Sequence, residues 1–321
     1  MRAGGSPLRG TRRASIMLVR VQAKVVGEIV KETASNWLDD KAPRLAASLA
    51  LYTLMSLAPL LILAVSVAGL MFGEDAARGQ IAHQLAGVLG DKGALAVQAI
   101  LANAKTPSSG VLGTIVGLAL ALFGASGVFG ELQGTLNTIW DVDSAPGRGV
   151  WGFVRDRFFS FTLVLGVAFL LLVSLVVSAG LAAIGAYLSH LLPGGAVLWQ
   201  VLNFLISLSV TTLLFAAIYK VVPDVTIRWR DVWIGSAVTA VLFSLGRFAI
   251  GLYVGRSTVA SPFGAAGSVV ALVVWVYYSA QILFFGAELT QVFARRHGSR
   301  IMPTKNAAFV GHKLETAPAV P

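Results

Sequence analysis

The residues with chemistry to offer are the few charged and amide side chains embedded in apolar surroundings. Arg247 is the single charged residue between Val232 and Val254. A guanidinium in hydrocarbon costs at least ~2.5 kcal/mol unless relieved, and its planar fork suits phosphate oxygens. The residue therefore reads as an anion or lipid-phosphate contact, against snorkelling to an interface or an internal ion pair as the plainer alternatives. Tyr278, Gln281 and Glu288 share one helical face of a later apolar run. Asn203, Ser207 and Thr211 recur every four residues, as do Ser236, Ala240 and Ser244 ahead of Arg247. Glu131 closes a stripe of small residues formed by Gly113, Gly117, Ala121, Gly124, Gly127 and Gly134. That stripe reads as close helix packing, or as a cavity wall with a carboxylate at its mouth.

Polar groups in hydrocarbon must find partners or water, so these faces are expected to look inward. They would line either a hydrogen-bonded core or a solvated cavity. The candidate cavity or substrate-contact residues are Arg247, Glu131, Gln281, Glu288, Tyr278 and Asn203. Arg44, Arg155 and Arg157 are nearer candidate partners for Glu131 and Glu288 than Arg247 is.

Motifs for covalent or metal chemistry are missing. His83, His190, His297 and His312 are scattered, with no metal-binding spacing, and no cysteine is present. The sequence has no GxxxxGK[ST] phosphate loop and no G-x-S-x-G elbow. The chain is read as no enzyme, with no catalytic residue, metal or cofactor.

The elements that must position these side chains are long apolar helices. Of 321 residues, 56% are hydrophobic and 12% charged, about half the charge of an ordinary soluble domain. A chain so composed belongs in a bilayer. Residues 45–73, 106–130, 158–219 and 257–287 lack Asp, Glu, Lys and Arg altogether. One crossing takes about 20 residues, so 158–219 must fold back, with Pro193-Gly194-Gly195 as the turn. The expected architecture is an all-α polytopic bundle of six transmembrane helices, about 45–72, 111–134, 158–188, 197–220, 232–254 and 264–293. Pro59 and Pro262 are expected to kink or break the first and sixth helices.

Basic residues orient the bundle. Twenty of the 25 Lys and Arg lie in the N-terminal segment, alternate links and C-terminal tail, which puts both termini in the cytoplasm. The net charge of +10 is thus absorbed by topology and anionic headgroups, not by nucleic acid. Trp140, Trp151, Trp229 and Trp233 would form an inner interfacial belt, and Trp199 would mark the outer one. Residues 1–20 read as a disordered basic N-terminus, and 296–321 as a flexible cytoplasmic tail around the 21–295 membrane domain. From Val21 an amphipathic helix is expected on the inner leaflet, and short helices within 74–105 on the outer face.

Several runs resemble the YihY/BrkB membrane-protein family. They are Ala46-Ala47-Ser48-Leu49-Ala50-Leu51-Tyr52-Thr53-Leu54-Met55-Ser56-Leu57-Ala58-Pro59, then Gly130-Glu131-Leu132-Gln133-Gly134-Thr135-Leu136-Asn137-Thr138-Ile139-Trp140. Gly264-Ala265-Ala266-Gly267-Ser268, Trp275-Val276-Tyr277-Tyr278-Ser279-Ala280-Gln281 and Phe285-Gly286-Ala287-Glu288 complete the pattern, which covers about residues 25–295. Ser244 departs from it, standing where the family pattern has an acidic residue one turn before the basic one. The resemblance implies a bacterial inner-membrane protein with six spans and cytoplasmic termini. The family has carried the label ribonuclease BN and a link to virulence. These residues offer no metal cluster and no basic patch interleaved with aromatics, so the nuclease reading is set aside.

The functional expectation is a transporter or flippase-like exporter of an amphiphilic or anionic, lipid-related substrate. The alternative is a non-catalytic protein of envelope structure. Membrane lipids are the expected partners, and self-association through Gly113-xxx-Gly117 is open.

Overall fold

A computed structural model describes residues 8–73, 79, 95, 98–99, 102, 127–144, 195–256, 267–298, 301–304 and 307–310, with side chains described only in part at several of these. The described chain is mostly helical. Helix α1 spans Leu8–Asp39 and α2 spans Ala42–Phe72. Residues 127–139 form α3 and lead into the short strand β1, Val142–Ser144. Helix α4 spans Gly195–Val221, strand β2 Val225–Thr226, helix α5 Trp229–Arg256 and helix α6 Gly267–His297. Strands β3, Met302–Pro303, and β4, Ala307–Phe309, follow.

Three helical segments are long and apolar enough to cross a membrane, Gln200–Val221, Trp229–Ala249 and Val269–His297. They coincide with the expected fourth, fifth and sixth spans. The residues of the expected first span lie in α2, which continues through Pro59 without a break. Proline's missing N–H and fixed φ weaken a helix but do not always end it. The expected second span is described only from residue 127; of the helices expected within 74–105 only residues 79, 95, 98–99 and 102 are described, all helical, and the third span, Trp151 and Pro262 lie outside the described residues.

Helix α6 is the hub. It packs against α1, α2 and α5, while α5 also packs against α4. The reason lies in its small residues. Ala280, Ala287 and Ala294, at seven-residue intervals, are each at most 3% exposed. Such spacing keeps one narrow stripe turned toward neighbouring helices.

Helices α5 and α6 run antiparallel through a reciprocal contact. Each carries Gly-x-x-x-Thr: Gly235 to Thr239 on α5, and Gly286 to Thr290 on α6. The threonine of each helix sits over the glycine of the other, so close that a Cβ on Gly235 would fall 1.8 Å from Thr290 Oγ1. Both hydroxyls are turned back, donating to the glycine carbonyl four residues earlier at 2.7 Å. Small residues and self-satisfied hydroxyls are what let two backbones approach in lipid.

Described residues near both chain ends take part in regular structure. Residues 8–20 form the start of α1, and their Ala, Leu, Met and Arg favour helix. Within the tail, residues 301–304 and 307–310 are described and carry two short strands. There β3 pairs antiparallel with β2, and β4 with β1, setting Pro303 opposite Val225 and Phe309 opposite Val142, both valines being buried. Short extended segments gain their order by pairing with edges already present. Trp140, expected at an interface, is 1% exposed and part of the core beside Leu136 and Ile139. Trp229 and Trp233 are exposed.

Candidate functional site

Arg247 lies on α5 beside a narrow recess shared with α6. The recess is lined by Phe243 and Arg247 from α5 and by Trp275, Tyr278, Ser279 and Ile282 from α6. Gly246 makes the approach possible, since a Cβ there would stand 2.4 Å from Tyr278 Cε1. A series of aromatic contacts runs from the recess into the core. Tyr219 stacks on Phe215, Phe215 meets Phe243 edge-on at 5.6 Å, and Phe243 meets Trp275 edge-on at 6.2 Å. The space between the lining side chains has no room for a water molecule.

The nearby hydroxyls do not reach for Arg247. Ser244 donates to the Ala240 carbonyl and Ser279 to the Trp275 carbonyl, both at 2.8 Å. Among the described residues Arg247 has no ion-pair partner, and its side chain is exposed. Around it the exposed surface of α5 is apolar, with Val241, Leu245 and Phe248 uncovered. A cation ringed by aromatic and aliphatic surface is suited to an amphiphile with an anionic group.

The structure separates the other candidates. Tyr278 joins Arg247 at the recess, while Gln281 is half-buried with its Oε1 enclosed and without a partner among the described residues. Glu288 is fully enclosed on α6, ten residues and about 15 Å of helix beyond Tyr278. Glu131 is half-buried on α3. The side chain of Asn203 lies outside the described residues. Of the small-residue stripe ending at Glu131, Gly127 is packed, its absent Cβ 3.1 Å from Tyr52 Cδ1, whereas Gly134 faces open space.

A second polar assembly, which periodicity did not reveal, occupies the end of the bundle where the strands lie. Asn137 and Asp224 form a two-way pair: the Asp224 N–H donates to Asn137 Oδ1 at 2.8 Å, and Asn137 Nδ2 donates to Asp224 Oδ2 at 3.0 Å. Gln133 Nε2 adds a 3.4 Å contact to the same carboxylate oxygen. Asp141, in the left-handed region at φ 54°, ends α3 and turns the chain into β1. Its carboxylate accepts from Gln291 Nε2 at 3.1 Å and stands 3.9 Å from Arg295 Nη1. Arg296 donates to Glu32 of α1 through both Nε, at 2.7 Å, and Nη2. Sequence spacing could not find these pairs, because the partners are 87, 150 and 264 residues apart.

Among the described residues no three His, Cys, Asp or Glu side chains gather as a metal site. The arrangement presents an exposed guanidinium at Arg247 and ties α3, the loop after α4, and α6 together through Asp224 and Asp141 at the strand-bearing end.

Residues 33–310 match the family described as Virulence factor BrkB. A "UPF0761 membrane protein" of Tolumonas auensis is 30% identical over 268 residues, covering 78% of this chain and 80% of the relative. One of Verminephrobacter eiseniae is also 30% identical, over 76% of this chain but only 57% of the relative, so the chain spans little more than half of that longer protein. A relative of the same name in Aeromonas salmonicida is 26% identical over 82% of this chain and 88% of its own length. No solved structure matches.

Proposed function

The chain belongs to the Virulence factor BrkB family of integral membrane proteins, and on that premise we propose that it moves an amphiphilic, anionic, lipid-related substrate across a bacterial inner membrane, as a transporter or flippase-like exporter. The observation that carries this reading is the exposed Arg247 within an apolar span, beside Tyr278 and Ser279 and flanked by Leu245 and Phe248. A lipid placed there sets its phosphate against the guanidinium and its chains against the aliphatic surface. Without such a ligand, an arginine inside a membrane span carries a cost of at least ~2.5 kcal/mol. No bond is made or broken, so the protein works as a carrier without cofactor or metal. In this reading six helices cross the membrane with both termini cytoplasmic, and Glu131, Gln281 and Glu288 make the polar interior that a moving headgroup passes.

The test is reconstitution of the purified protein in proteoliposomes containing labelled phospholipid or a lipid A precursor. Wild-type protein accelerates transbilayer movement, and Arg247→Ala slows it. Movement no faster than in protein-free vesicles across the panel overturns the proposal. A second reading, a non-catalytic protein of envelope structure, draws on one observation: the recess beside Arg247 has no room for water. Wild-type and Arg247→Ala proteins equally inert toward every lipid would favour it.

A further inference from the structure

We propose that residues 301–304 and 307–310, which carry β3 and β4, act as a strap that locks the strand-bearing end of the bundle shut and that must be released for it to open. This rests on the transport reading above. The strap bridges two loops far apart in sequence. Through β3 it pairs with β2, which follows α4, and the Thr304 N–H donates to the Asp224 carbonyl at 2.9 Å. Through β4 it pairs with β1, which follows α3, and the Val310 N–H donates to the Asp141 carbonyl at 2.9 Å. Ile301 and Ala307 pack against the core cluster, so the strap also closes the apolar seam beneath it.

The two anchored residues are the same two whose side chains organise this end. Asp224 holds Asn137 and Gln133 of α3, while Asp141 holds Gln291 and stands beside Arg295 of α6. The strap therefore covers the joint at which α3, α4 and α6 are tied together. Separating α3 from α4 here requires breaking both the Asn137–Asp224 pair and the strap.

Its construction favours release. The two ladders are two and three residues long, too short to persist without support. Met302, Phe309 and Val310 are exposed, and segments with few buried contacts and solvated hydrogen bonds open first. A carrier that exposes its site alternately to each side needs one face held closed by contacts weak enough to yield. The strap meets that requirement, whereas the enclosed α5–α6 contact does not.

The chain has no cysteine, so engineered pairs are clean reporters. Val142 and Phe309 face each other across β1 and β4, and Val225 and Pro303 across β2 and β3. Val142→Cys/Phe309→Cys and Val225→Cys/Pro303→Cys proteins are oxidised in proteoliposomes, and lipid movement is measured before and after reduction. Crosslinking is expected to slow movement at least tenfold, with recovery on reduction. Fully crosslinked protein moving lipid as fast as the reduced form overturns the strap. If the reduced protein moves no lipid at all, the transport reading falls, and the strap is judged by labelling instead. A maleimide should then modify single Val142→Cys, buried and paired with Phe309 of the strap, at least tenfold faster when Val310→Pro removes the N–H to Asp141. Equal labelling rates with and without Val310→Pro overturn the strap independently.

Discussion

Thr239 occupies the space a side chain at Gly286 would need: a Cβ there would lie 1.9 Å from Thr239 Oγ1 and 2.5 Å from Tyr219 Oη. Tyr219 donates to the Leu283 carbonyl at 2.7 Å and stands 3.2 Å from the Thr239 hydroxyl, so three helices meet at this point. Gly286→Ala has no flexible neighbour to displace. It should destabilise the protein by about 1–3 kcal/mol, the usual cost of overpacking a filled core. Gly134→Ala is the control, because nothing lies within 4 Å of its Cβ position. Denaturant unfolding of both variants in detergent checks the contrast.

Trp140 is among the largest fully buried side chains, enclosed with Leu136 and Val142 where α3 turns into β1. Trp140→Ala leaves a cavity at that joint and should cost about 3–5 kcal/mol. Thermal unfolding followed by size-exclusion chromatography measures the loss. An unchanged midpoint would contradict the core placement.

Asn137→Ala removes two hydrogen bonds to Asp224 at once, one of them to a carboxylate. Bonds to charged groups are worth about 1.5–3 kcal/mol each, with an added penalty where a buried partner is left unmet. The variant should lose stability on that scale, and Asn137→Asp should lose at least as much by setting a second carboxylate against that of Asp224. Both are read from denaturant midpoints.

Arg296 and Glu32 link α6 to α1, yet their side chains are 35% and 34% exposed. Water and salt screen such a pair, so Glu32→Gln should cost about 1 kcal/mol or less. The difference should shrink at 1 M salt, where screening acts within about 3 Å. Unfolding at low and high ionic strength tests the sign.

Arg247→Ala separates stability from function. The side chain is exposed and has no ion-pair partner among the described residues, so unfolding should shift by about 0.5 kcal/mol or less. Lipid movement in proteoliposomes should nonetheless fall. A large stability loss would instead make the residue structural.

The apolar runs and the basic links are one-dimensional properties, and composition alone establishes a membrane protein whose α2, α4, α5 and α6 lie close to the spans expected from hydropathy. Hydrocarbon length and the cost of unpaired backbone groups act on each segment separately, so segments can be read singly. Periodicity also places Arg247 and Tyr278 on polar faces of their helices, and those two do meet at one recess. It could not say that Glu288 lies apart from them, nor that Gly286 is filled by Thr239, because both facts depend on how α5 and α6 are offset along each other. The tail shows the limit most plainly. Its sequence has too little apolar periodicity to announce structure, and β3 and β4 take their order from edges supplied by Val142–Ser144 and Val225–Thr226. Pairing between residues more than 70 positions apart is a property of the assembled fold, since only packing brings those edges within hydrogen-bonding reach.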